Sequence, residues 1–322
     1  MSLAILGGLA SAAKAADTTT LARLTFSSGW DALPAIVGIE RGFFSQEGLV
    51  VSGLSVTSPE AVINSVAAGS TDFAVVPQRV LLVMAAAKAP VKVIGMGGWG
   101  TQLELLARPD VKIKGVADLK GKTIATLRGS EAFPALVRLL NTAKLKPTDV
   151  KIAVLSADEM VKALSDKKAD AVFETRHFTA TLAANKSGVL VMDSATISKA
   201  IGWIDGIPLV TRAETVTKDP ALVQKFTNGW VKALAYIRQD PEDAGRLLGI
   251  FFHRQGVRVT PAMATQWVSM TRYDQPSWSD AAIADAEYNG WGLNTAKVLK
   301  SAPKLKGLVE NKFAVTAAKA TQ

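Results

Sequence analysis

Short apolar runs rich in β-branched residues alternate along the chain with longer stretches in which apolar positions recur every three or four residues. The runs LARLTF, LVVSGLSV, TDFAVVP, VKVIGM, ELLARP, KTIATL, VKIAVL, ADAVFE and GVLVMD read as strands. Residues 33–41, 59–68, 79–87, 132–143 and 157–166 read as helices between them. This strand–helix order runs from Leu21 to about Val93, begins afresh near Leu105 and repeats to about Met192. Crossover helices tie strands of one sheet together, so the break predicts two sheets. After Pro208 come LVTRAE, a long amphipathic helix over 220–239, and further helical stretches through Trp267, Ala284 and Leu299. The chain is expected to return there to its first sheet.

The expected architecture is therefore α/β with two lobes, each a mixed, mostly parallel sheet flanked by helices. Residues 17–104 and 207–322 form a discontinuous first lobe and 105–206 an inserted second lobe. The crossings near Leu105 and Gly206 act as two hinges beside a ligand cleft. A chain of 322 residues also exceeds what one core usually serves.

Composition narrows the function classes. Lys and Arg outnumber Asp and Glu by 37 to 28, a net +9 spread along the chain. Without a basic block, a nucleic-acid arm is not expected, and the excess slightly favours an anionic small molecule. No cysteine is present, which removes disulfides, thiol nucleophiles and lipid modification. Residues 1–16 resemble the end of a secretory signal, with a short apolar run and then Ala13, Ala15 and Ala16. Beyond them no apolar stretch reaches the roughly 20 residues of a membrane span. A freely diffusing periplasmic protein follows, expected to be a monomer. With only His177 and His253, no G-x-S-x-G elbow, no P-loop and no metal spacing, the expectation is no catalysis, cofactor or metal.

Several segments, in order, carry a family resemblance. ALPAIVGIERGFFSQEGLVVSGL, SPEAVINSVAAGSTDFAVVPQ, VADLKGKTIATLRGSEAF and LKPTDVKIAVLSADEMVKALSDKKADAVFE resemble the solute-binding proteins of ABC importers of the nitrate, sulfonate and taurine type, relatives of the thiamine-precursor binders. The resemblance implies a type II periplasmic binding protein fold that closes on a small molecule and delivers it to a permease in the inner membrane. The chain departs from the family after ADAVFE, where Thr175, Arg176, His177 and Phe178 replace an aromatic, acidic and proline cluster.

In open α/β sheets ligands bind beyond the carboxyl ends of the strands. That rule selects Ser27, Ser28, Gly29 and Trp30 after the first strand, Ser58 after the second, and Pro77, Gln78 and Arg79 after the third. In the second lobe it selects Arg128, Ser130, Glu131 and Phe133, then Glu174, Arg176 and His177. Serine hydroxyls, helix N-termini and guanidinium groups suit carboxylate or sulfonate oxygens. Trp30, Trp99 and Trp203 supply rings for an organic body, and Asp205 beside the second crossing completes the set. Structural roles compete: Ser27 and Ser58 as helix caps, Arg176 in an ion pair with Glu174 or Glu131, and the tryptophans as packing. The ligand expected is a small organic anion, a sulfonate or a carboxylate. Nitrate, a thiamine-pyrimidine precursor or a sensory role are the alternatives.

Overall fold

The computed structural model describes residues 19–321 except 28, 57, 58, 101, 128, 129, 203, 204 and 296, and excludes the side chains of 59, 60 and 177. The leader-like residues 1–16 and the candidates Ser28, Ser58, Arg128 and Trp203 lie outside the described residues.

All nine predicted runs form strands: β1 (Thr20–Ser27), β2 (Leu49–Val56), β3 (Phe73–Val75), β4 (Val91–Gly100), β5 (Leu103–Ala107), β6 (Thr123–Leu127), β7 (Lys151–Leu155), β8 (Ala171–Thr175) and β9 (Val189–Met192). Two more follow, β10 (Asp205–Arg212) and β11 (Thr271–Arg272). The first sheet has the order β11-β4-β10-β3-β1-β2 and the second β7-β6-β8-β5-β9. The chain leaves the first sheet at Gly100, enters the second at Leu103 and re-enters the first at Asp205. Among the named strands, neighbours pair parallel in β1 with β2 and β3, and in β6 with β7 and β8. The strands next to the crossings, β4, β5 and β10, pair antiparallel. By direction each sheet is mostly parallel, since β4 runs with β1, β2 and β3 and β9 with β6, β7 and β8. Strands β5 and β10 run against them because a strand that comes directly from the other lobe has no crossover helix to reverse it.

Alternation along the strands builds two layers on each sheet. In the first, Leu24, Phe26, Phe73 and Val75 face helices Leu33–Glu40, Pro220–Gln239 and Pro241–Arg254. Ala74, Val76, Val91 and Val93 face helices Gln78–Ala86 and Asp280–Thr295. In the second sheet, Leu105, Ile124 and Phe173 pack on helix Ala132–Thr142, and Leu106, Ala125 and Val172 on the opposite layer.

The run GGWG, expected as loop-rich surroundings for Trp99, instead continues β4 to Gly100. Trp230 explains the glycine content: a Cβ on Gly97 would lie 2.8 Å from its Cζ2, and the indole donates to the Met96 carbonyl at 3.1 Å. Helix Asp280–Thr295 packs on the first lobe through Ala282, Ala286 and Leu293 and also touches the second. Arg138 Nη2 lies 2.9 Å from Asp285 Oδ1, and its guanidinium sits 4.4 Å above the Tyr288 ring. Among the described residues no helix is long and apolar enough to cross a membrane.

Candidate ligand-binding cleft

Parallel strands end where their loops meet the next helix, so β1, β3, β6 and β8 deliver their following residues to one edge of each sheet. Antiparallel β10 starts at that same edge of its sheet, which brings Asp205 to the ends of β1 and β3.

Ser27 closes β1; its hydroxyl donates to Asp31 Oδ1 and accepts from the Gly29 N–H at 3.1 Å. The hydroxyl is committed to this turn. Trp30, half-buried, packs on the first-lobe core. Asp31 is 6% exposed, and its Oδ2 has no hydrogen-bond partner. Burial raises the Asp31 carboxyl above the usual carboxylate range, against the Ser27 hydroxyl.

Pro77 precedes helix Gln78–Ala86, in which Gln78 is buried and Arg79 half-exposed. The Gln78 Oε1 approaches Gly206, where a Cβ would lie 3.2 Å away. Trp99 is 5% exposed and meets Trp278 edge-on, ring centroids 5.2 Å apart; its Nε1 has no partner, nor has the Gln102 Nε2. Trp99 is therefore at once a packing residue and the holder of a free donor.

Half-buried Asp205 accepts from the Gly206 N–H at 2.9 Å. Burial first and the Glu131 charge second push its carboxyl well above the usual range. Asp31 adds to the shift, and Arg79 and the Gly206 N–H oppose it. Asp31 and Arg79 come from the first lobe and Glu131 from the second, so Asp205 feels both.

In the second lobe, Glu174 is fully buried at the end of β8. Its Oε2 accepts from the Leu127 N–H at 3.0 Å and the Ser130 hydroxyl at 2.8 Å, and Oε1 from the Thr175 N–H at 2.9 Å. Ser130 and Glu174 thus tie the ends of β6 and β8 together. Burial and then Glu131 push the Glu174 carboxyl up to about 7, despite those donors. Glu131 and Phe133, both partly exposed, stand at the start of helix Ala132–Thr142. Arg176 opens helix Arg176–Ala184, with His177 next. Its Nε lies 3.6 Å from Glu104 Oε1, rather than beside Glu174 or Glu131, and its Nη1 lies 3.4 Å from the Met270 sulfur of the first lobe.

Asp31, Gln102, Glu104, Met270 and Tyr273 escaped the sequence reading. Glu104 left a signal, a lone carboxylate in the apolar run LELLA, and Asp31 follows directly on the selected Trp30. Met270 left none, because only the short pairing of β11 with β4 brings it to the edge. Among the described residues no three His, Cys, Asp or Glu side chains group closely enough to hold a metal ion.

The fold recurs in solved structures. The periplasmic aliphatic sulphonate-binding protein SsuA of Escherichia coli superposes with TM-score 0.70 at 16% identity, over 90% of this chain and 92% of its own. The periplasmic nitrate-binding protein NrtA of Synechocystis PCC 6803 gives TM-score 0.63 at 16% identity, over 94% of this chain and 89% of its own. The desulfurization enzyme DSZB gives TM-score 0.65 at 16% identity, over 94% of this chain and its whole length, so the same fold also carries catalysis. At these identities the likeness shows the fold, which is that of type II periplasmic binding proteins. A protein of Brucella abortus (strain 2308), named as a candidate binding protein, is 27% identical over 142 residues, 44% of this chain. The match spans 43% of the Brucella protein's own length, less than half. The profile of the NMT1/THI5-like proteins matches residues 30–244, more than half of the chain, and the protein belongs to that family.

Proposed function

We propose that this protein is the periplasmic solute-binding component of an ABC importer, capturing a small molecule between its lobes by hinge closure and handing it to a membrane permease. One observation carries the reading. Buried polar atoms without partners, Asp31 Oδ2, Trp99 Nε1 and Gln102 Nε2, belong to residues at the ends of β1 and β4 and the start of β5, around the first crossing and the ligand-binding edge. Orphaned buried polar groups are costly, and a site completed by a ligand gives them a purpose. Asp205 stands at the second crossing, so closure about the two strand connections would gather all four onto one guest. The sulfonate and nitrate binders of the same fold support capture rather than chemistry.

The test is X-ray scattering on protein stripped of ligand by unfolding and refolding, before and after saturation with any compound that raises its melting temperature. The expected result is a smaller radius of gyration at saturation. A stabilising ligand that leaves the scattering profile unchanged would overturn closure as the mode of capture.

The expected organic anion leaned on Arg79, Arg128 and Arg176 and on the net positive charge, and of these arginines Arg79 stands near Asp205. Arg128 lies outside the described residues, and Arg176 is already paired with Glu104. The ligand's charge must therefore be argued from the remaining groups.

A further inference from the structure

We propose that the cleft seats a small organic cation, an amine or amidine, between the carboxylates of Asp31 and Asp205. This rests on the binding-protein reading above and names the class of its ligand.

The first support is the buried and unpartnered Oδ2 of Asp31. Ser27 occupies Oδ1, so this carboxylate is held in place while one oxygen stays open. The Asp31 charge is felt at Asp205 and at buried Tyr273, which puts it on the side where β10 begins and β11 ends. A buried acceptor of this kind is satisfied by an N–H donor, best by a charged one.

The second support is the sign of the described side chains at this edge. The charges of Asp31 and Glu131 both act on Asp205 and raise its affinity for protons, while Arg79 is the opposing side chain that acts on Asp205. Glu174 adds a fourth carboxylate, though its three donors make it a structural member. Arg176 is offset by Glu104. An anion brought here would meet carboxylates from both lobes as they closed, and like charges in a desolvated site repel strongly. A cation would instead remove the repulsion that opposes closure, so its binding energy would appear as a shift toward the closed form.

A third support bears on size. The described carboxylates do not converge tightly enough for a metal ion, so the cation must span the gap with its own body. Half-buried Trp30 borders the same loop as Asp31 and offers ring surface to such a body.

Refolded, ligand-free protein should be assayed at neutral pH with two isosteric pairs, benzylamine and benzamidine against benzoate and benzenesulfonate, by thermal shift and calorimetry. Saturable stabilisation by a cation of the set is expected, with affinity falling roughly 30-fold or more in Asp31→Asn and in Asp205→Asn. Without any ligand, Asp31→Asn should melt higher than wild type, as a residue kept for binding rather than stability does. A lower melting temperature for that variant would make the carboxylate structural and overturn the assignment, as would a lack of response to both cations. Closure driven by benzoate or benzenesulfonate would overturn the cation while leaving the binding-protein reading intact. A compound that stabilises without closure would remove that reading instead.

Discussion

Glu104 on β5 and Glu174 on β8 are direct partners in an antiparallel register, so two carboxylates share one face of the second sheet. Like charges placed opposite each other destabilise a strand pair, and each acid here is held by its own donors. The Thr179 hydroxyl donates to Glu104 at 2.6 Å, and Glu174 has the Ser130 hydroxyl and two backbone N–H groups. Glu174 fixes the β6–β8 edge through these donors.

Burial of Glu174, with Glu131 near it, has a pH signature. Glu174 titrates near 7 in the folded protein against an ordinary value of 4.5, so its proton is bound more tightly folded than unfolded. Stability from this group is complete below the unfolded value and is lost as pH rises through the folded one, by roughly 3 kcal/mol in total. The difference in unfolding free energy between wild type and Glu174→Gln, from urea melts across this range, should change by that order and level off above it. A constant difference would mean that Glu174 binds its proton equally well in the folded and unfolded states.

Helix Asp280–Thr295 makes a third connection between the lobes. Arg138→Ala removes the Asp285 and Tyr288 contacts and should cost only about 0.5–1 kcal/mol, since the Asp285 side chain is 43% exposed. The larger effect belongs in shape: the ligand-free radius of gyration should rise. Gly292→Ala should act the same way, because its Cβ would lie 2.5 Å from the Pro134 Cβ. A double-mutant cycle over Arg138 and Asp285 separates the pair from general packing.

Five lysines just past helix ends have positive φ: Lys88, Lys144, Lys167, Lys186 and Lys297, at 55° to 59°. Side chains with a Cβ are strained there, and glycine is not. Lys144→Gly, exposed after helix Ala132–Thr142, should raise stability by about 0.5–1 kcal/mol in thermal or urea melts. Lys146, two residues on and outside the left-handed region, should show no such gain.

Gly97 offers the opposite case. A methyl group there would press on Trp230, which is fully buried and anchored to Met96, and overpacking of this kind costs about 1–3 kcal/mol. Gly97→Ala should lower the melting temperature without changing ligand affinity unless the shift propagates to Trp99.

Periodicity revealed the nine first strands and placed the ends of five helices within one residue, because burial on alternate or helical faces is written directly into apolar spacing. It missed how far β4 extends, since glycines carry no hydropathy signal and their reason, Trp230, lies 133 residues away. The cleft was legible as a set of strand ends, which topology dictates. Its charge was not: the roles of Asp31 and Glu104 depend on which donors surround them, and Arg176 found a partner on β5 that no local spacing indicates.

The position of β10 also orders events during synthesis. This strand lies between β3 and β4, yet it is made only after the whole second sheet. A nascent chain that ends before residue 205 therefore has β3 and β4 without the strand that joins them, each presenting an open edge. The second sheet, with strands running from Leu103 to Met192, has no such wait and can form as one contiguous unit. The inserted lobe is thus the part able to mature first, and the enclosing lobe stays vulnerable to mispairing until its last central strand arrives.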